Sequence, residues 1–315
     1  MNDFDFWDAD GGNSVRVMVL GNVLIGDAAG LLMQPELMTK WQLEKIAAVS
    51  DAIESGVQGG VDTCIVAGNL FHDGFVPDSL LRAGVEALTN QGIRIVYMAS
   101  PQEALGAYAG LELPGEITLH LKPNLLVGGC LEVLVSQGKP ATVSFAKDNV
   151  KESLTVRPLE PSSFDAMQTG YIVVDIEGGK VKSVHESSRA RHMFVTKRVR
   201  LDHMEDRHEM RSAVIAAIEN LNSKCCLRLI LEGPVPPSSY VNHKAIAEAL
   251  KDDFFYVEVL DETTVDVGED ELDGDVSLAA EFIRVVNSDD SLSPEEKTRI
   301  IRCGLNALNG RGLVE

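Results

Sequence analysis

No stretch of eighteen consecutive apolar residues occurs in the chain, and no basic-then-apolar leader opens it. The expectation is a globular protein with neither a membrane span nor a secretory signal, placed in the cytoplasm. Cysteine is scarce. The five residues Cys64, Cys130, Cys225, Cys226 and Cys303 are odd in number and form no C-x-x-C pair, which argues against a disulfide framework or zinc knuckle and for reduced, mostly core thiols. Cations are outnumbered: 28 Lys and Arg stand against 48 Asp and Glu, a formal charge of −20. That excludes nucleic-acid binding by bulk electrostatics, since phosphate contacts need clustered cations. Gly21, Gly26 and Gly30 punctuate the first turn, but neither G-x-G-x-x-G nor G-x-x-x-x-G-K-[ST] is present, so a nucleotide cradle is not indicated. No serine triad or catalytic cysteine pattern stands out.

What is present is an ordinary supply of core residues, 45% of the chain, arranged with a clear rhythm. VRVMVL (15–20), DTCIVAG (62–68) and IRIVYMA (93–99) are continuous apolar runs, as expected of parallel strands covered on both faces. Between them, Trp41, Ile46, Val49 and Ile53 fall near helical spacing, as do Leu81, Val85 and Leu88 before a stop at Gly92. The pattern is βαβαβ, half of a layered α/β domain.

The middle third reads as short strands with Gly and Pro turns, EITLHLKPNLLVGG, CLEVLVSQGK and GYIVVDIEGGKVKSVHE, and predicts a mixed or antiparallel second sheet with a Gly178-Gly179 hairpin. From 196 to 262 a small α+β unit can be drawn. Residues 261–275 are acidic and poor in core formers, an exposed linker. Two helices close the chain, the second opening with Ser293, Pro294 and Glu296 as a capping box. Leu278, Phe282, Ile301 and Leu305 pack these helices together or against a partner. The first fourteen residues set Phe4, Phe6 and Trp7 among acids, a composition of unstructured ends or of a peptide docking in a basic, apolar groove. The densest basic run holds Arg189, Arg191, Lys197, Arg198 and Arg200, either a solvated strand face or a patch for nucleic acid or an acidic partner.

Three strand ends converge in such a sheet, Gly21-Asn22, Gly68-Asn69-Leu70-Phe71-His72-Asp73 and Ala99-Ser100-Pro101-Gln102-Glu103. Their order resembles the calcineurin-like metallophosphoesterases, in particular the exonuclease SbcD type, whose turns read D-x-H-x-G, G-D-L-F-D and G-N-H-D. The resemblance implies a two-sheet sandwich flanked by helices over 15–195, an α+β capping domain over 196–262, and terminal helices over 263–315. It also implies two manganese ions about 3.5 to 4 Å apart that hold a hydroxide and a phosphate. In this chain the ligand positions are Asn22, Leu24, Asn69, Ser100 and Pro101. The bridging carboxylate falls on the amide of Asn69, and no G-H-x-H turn exists; His120, His185 and His192 stand apart. The stretch from Gly138 to Gly170 is also shorter than the family's corresponding segment.

The expectation is therefore a chain without catalytic or metal-binding residues, a scaffold or regulatory subunit of a DNA-processing complex. Its implied partner is an SMC-like ATPase of the SbcC type, contacted through Phe282, Ile301 and Leu305, with a homodimer as a further option. Two alternatives remain. One is a manganese-dependent phosphoesterase rebuilt on Asp27, His72, Asp73 and Glu103. The other is an inactive phosphoesterase subunit of a polymerase-type complex.

Overall fold

A computed structural model of the chain describes residues 14–28, 31, 34–72, 76–89, 92–101, 103, 113–136, 139–147, 150–161, 163–165, 168–188, 190–202, 204, 206–236, 241–265 and 277–308. The expectations for the N-terminal peptide, Gly30, Asp73, Arg189 and residues 266–275 fall outside that set. The chain divides into two units, Met1–Met193 and Phe194–Glu315, so the terminal helices belong with the second unit.

The first unit runs β1 (Ser14–Leu20), α1 (Pro35–Gln58), β2 (Thr63–Ala67), α2 (Asp78–Glu86), β3 (Arg94–Met98), β4 (Ile117–His120), β5 (Asn124–Val127), β6 (Leu131–Ser136), β7 (Lys139–Lys147), β8 (Val150–Thr155), β9 (Tyr171–Glu177) and β10 (Lys180–Ser187). It contains a six-stranded sheet in the order β10-β9-β1-β2-β3-β4 and a four-stranded sheet, β5-β6-β7-β8. β1, β2, β3 and β4 pair in parallel, Leu20 beside Val66 and Val66 beside Tyr97. The apolar runs are continuous because both faces of these strands are covered. Met18, Leu20, Cys64, Val66, Ile95 and Tyr97 share a core with the stripes of α1 and α2. Val17, Val19, Ile65, Ala67, Val96 and Met98 share another with Val133, Val135, Val143 and Phe145 of the four-stranded sheet. Each fully buried side chain of this size contributes roughly 1.5–3 kcal/mol.

Two strand placements differ from expectation. β4 and the β9–β10 hairpin join the first sheet, not the second. β9 pairs antiparallel with the free edge of β1, and the register is pinned by Arg16, whose guanidinium donates to Asp175 at 2.6 and 3.2 Å. The Gly178-Gly179 turn behaves as expected, both residues being left-handed at φ 57 and 69°.

The second unit runs β11 (Met193–Arg200), α3 (Arg207–Ile218), β12 (Cys225–Val235), α4 (His243–Leu250), β13 (Tyr256–Val265), α5 (Leu278–Asn287) and α6 (Pro294–Leu308). Its sheet is ordered β11-β12-β13, with β12 and β13 parallel. Met210, Val214 and Ile218 of α3 pack on Leu227, Leu229 and Leu231 of β12. Residues 261–265, expected in the linker, continue β13. The whole is a mixed α/β protein, with six helices and three sheets among the described residues. Among those residues no helix is long and apolar enough to cross a membrane. All five cysteines are free thiols; Cys64, Cys225 and Cys226 are buried, and burial pushes the Cys64 thiol well above its ordinary range.

Candidate functional site

β1 and β2 do not part where their ladder ends. Asn22 N–H donates to the Gly68 carbonyl at 3.3 Å, Leu24 N–H to Asn69 at 3.0 Å, Ile25 N–H to Leu70 at 2.9 Å, and His72 N–H returns to Ile25 at 2.8 Å. The two turns are thus zipped together by their backbones. The zipper imposes a left-handed conformation on Asn22 (φ 52°), Leu24 (φ 54°) and Asn69 (φ 50°). Asn tolerates this region, whereas a leucine there costs about 1–2 kcal/mol. The three residues in strained backbone are the three that occupy the first two ligand motifs of the resemblance.

The side chains at this floor close on one another. Asn69 Nδ2 donates to Asn22 Oδ1 at 3.0 Å and, more distantly, to the Lys139 carbonyl at 3.5 Å; Asn22 Nδ2 donates to the Val156 carbonyl at 2.8 Å. Both amides are buried. At the neighbouring Gly68 the second sheet lies close, for an added Cβ would come within 2.6 Å of Val135 Cγ1.

Ser100 and Pro101 have a separate reason to be where they are. Ser100 N–H donates to Glu103 Oε2 at 2.8 Å while Glu103 N–H returns to Ser100 Oγ at 3.3 Å, a capping box with proline at the first helical position. Glu103, 3% exposed, also accepts the N–H groups of Asn69 at 2.9 Å and Phe71 at 3.1 Å. One carboxylate therefore ties the turn after β3 to the turn after β2. Burial pushes its pKa above the ordinary carboxylate range, against the N–H bonds that favour the anion.

A third fastening comes from α1. Lys45 is 2% exposed, and its ammonium donates to the carbonyls of Leu24 at 2.8 Å and Asp27 at 3.2 Å, with Asp27 Oδ2 at 3.6 Å and the Trp41 ring at 5.6 Å. Burial lowers its pKa to about 8, partly offset by Asp27 and Glu160. Gln42 accepts the Gly26 N–H at 2.6 Å and donates to the Asp27 carbonyl at 3.0 Å. Both were missed in the sequence, although Lys45 lies one turn from Trp41 on the buried stripe, where a charge is out of place.

Of the residues named for a rebuilt enzyme site, Asp27 and His72 are brought together, Oδ1 to Nε2 at 3.9 Å. Glu103 is not free to join them, its oxygens being committed to backbone N–H groups. His120 Nε2 sits 2.8 Å from the Asn124 carbonyl, and His192 is buried beside Trp41. Among the described residues, no group of three or more His, Cys, Asp or Glu is placed to hold a metal ion.

The basic run is distributed between the two units, and its described arginines are paired. Arg191 bonds Glu44 and Asp51 in the first unit; in the second, Arg198 meets Glu232 and Glu262, and Arg200 meets Asp202. Lys197 is half-buried. Arg191, Arg198 and Arg200 thus each have an acidic neighbour, as on a solvated strand face. Of the terminal-helix residues expected at a partner contact, Ile301 and Leu305 are buried in the core between α5 and α6, and Phe282 packs against it. They join the two helices to each other. Leu278, Val285, Ile300 and Leu308 are the exposed apolar residues of this hairpin.

In donor chemistry, then, the ligand positions of the resemblance hold two closed amides, a hydrocarbon and the serine and proline of a helix start, and the Glu103 carboxylate nearby is taken up by backbone N–H groups. No family model matches the chain, and no curated protein matches it.

Proposed function

We propose that the chain is a non-catalytic protein of the SbcD-like metallophosphoesterase type, a scaffold subunit of a DNA-processing complex that binds an SMC-like ATPase. The observation that carries this reading is the Asn22–Asn69 amide pair seated on left-handed backbone. Strain in a turn persists where the surroundings over-determine it, and it clusters where geometry serves a ligand. Here the geometry is kept while the side chains are spent on each other and on carbonyls, as expected of an inherited site that has lost its chemistry. Two sheets sharing one core, followed along the chain by a small α/β unit, are in keeping with the order the resemblance implies. The residues at 22, 24, 69, 100 and 101 do not fit a pair of manganese ions, because adjacent cations need an anionic bridge to offset their repulsion.

The test has two arms. Calorimetric titration of the purified chain with manganese should give no binding at micromolar concentrations, and a phosphodiester reporter should not be hydrolysed. Two bound equivalents with turnover would return the protein to the enzymes. An untagged pull-down should recover a coiled-coil ATPase, and Asp at Leu278 and Val285, both exposed on α5, should weaken it without unfolding the hairpin.

A further inference from the structure

The terminal hairpin meets the sheet of its own unit through a polar side chain. Arg302 of α6 donates to Asp261 Oδ2 at 2.8 Å and, from its other terminal nitrogen, to the carbonyl and Oγ1 of Thr263, both at 2.6 Å, which fastens the hairpin to β13. Residues two apart on a helix point about 200° from each other, so Ile300 leaves α6 on the side away from that fastening.

The side turned away is apolar, and its residues are ordered. The Phe282 ring covers Gly304, where an added Cβ would come within 2.1 Å of Cε1. Six residues join α5 to α6, and so short a connection leaves the helices antiparallel. About one turn from the Phe282–Gly304 contact, Leu278 and Leu308 therefore fall at one end of a shared stripe, and Val285 and Ile300 at the other. These four side chains are 36 to 70% exposed.

Charge selects what covers the stripe. The chain carries −20, so two copies repel over most of their surface. Residues 277–308 hold five acids and four bases, and this element is nearly neutral. A second copy can approach here with little like-charge repulsion, whereas a basic partner would find most of the acidic charge elsewhere. The stripe also matches itself, since a second hairpin presents the same two helices about a two-fold axis. We infer that the outward side of the α5–α6 hairpin is the contact with a second copy of this chain, the two hairpins closing into a four-helix bundle. Four side chains cover less than the roughly 800 Å² per partner of a standard interface, so the dimer is weak, with a Kd on the order of ten micromolar. The inference stands apart from the proposed ATPase, which would compete for the same stripe, and its test contains no other protein.

Sedimentation equilibrium of the purified full chain, from about 1 to about 300 µM, is that test. The weight-average mass should climb from 34.1 kDa towards twice that value. Added salt should tighten the dimer, because the contact is apolar and the repelling charge lies elsewhere. Leu278→Asp/Val285→Asp should weaken association by on the order of tenfold or more, with helix content by circular dichroism unchanged. Leu43→Asp/Ile215→Asp adds the same charge at exposed apolar positions on α1 and α3 and should associate as the wild type does. A monomer across the whole range overturns the inference. So does a dimer that survives in Leu278→Asp/Val285→Asp, that is lost equally in Leu43→Asp/Ile215→Asp, or that dissolves in salt. Should Leu278→Asp/Val285→Asp lose the hairpin, Leu308→Asp on α6 takes its place, and association unchanged in that variant overturns the contact equally.

Discussion

The Asn69 carboxamide donates to the Asn22 carboxamide oxygen across 3.0 Å, joining the ends of two parallel strands. The direction matters. Asn69→Asp would replace the donor with an acceptor facing Asn22 Oδ1, leaving a buried charge without a partner. It should cost about 1–3 kcal/mol, read as a lower urea midpoint at unchanged slope. Manganese should not restore the loss; recovery on adding the metal would mean that one carboxylate is enough to rebuild the site.

Glu103 should matter more than any other side chain at the strand ends, since it serves three backbone N–H groups on two turns. Glu103→Ala orphans all three and should destabilise by about 3 kcal/mol or more, while Glu103→Gln, which keeps one acceptor oxygen, should cost less. Thermal unfolding of the two variants checks the order. Equal costs would mean that the carboxylate merely fills space.

Lys45 predicts a dependence on alkaline pH. Its pKa is about 8 in the folded chain against 10.5 when unfolded, so between those values the unfolded state binds more protons. Stability should rise with pH through that window, by up to about 3 kcal/mol in all, and the contribution is lost as pH falls through 8. Lys45→Met should remove the rise and also cost stability at every pH, because the Leu24 and Asp27 carbonyls lose their donor. Denaturant titrations at pH 7.5 and 10 compare the two proteins.

The terminal hairpin is closed by a ring on a glycine. A Cβ at Gly304 would fall inside the Phe282 ring, so Gly304→Ala should destabilise α5 and α6 by about 1–3 kcal/mol through overpacking. Phe282→Ala alone opens a cavity, yet the double variant should recover part of the Gly304→Ala cost. A double-mutant cycle on helix protection reads the coupling, and additivity would place the ring elsewhere.

Much of this fold was legible because its signals are local. Continuous apolar runs at 15–20, 62–68 and 93–99 announce strands covered on both faces, and the helical stripes between them force parallel pairing. The capping box at Ser293-Pro294-Glu296 was equally readable, Ser293 N–H donating to Glu296 Oε2 at 2.8 Å. Ser100-Pro101-Gln102-Glu103 carries the same four-residue signature, and the serine and proline that suit no metal are the ones a helix start uses. Long-range pairings were not legible: which sheet takes β9, which carbonyls take the Lys45 ammonium, and which acids take Arg191 depend on chain segments brought together from far apart. The countercharges of the basic run were not legible for the same reason, since Glu44, Glu232 and Glu262 lie elsewhere in the sequence.

The Arg16–Asp175 pair has a consequence for how the protein is made. One flank of β1 is satisfied only by β9, and the two residues that set their register are 159 positions apart. During synthesis β1, β2 and β3 emerge first, so an apolar strand waits with one row of backbone groups unanswered until residues 171–177 have left the ribosome. A nascent chain stalled before Tyr171 should recruit chaperones or aggregate, whereas one stalled after the β10 hairpin should not. The open edge of the first strand is thus closed only when the ninth arrives.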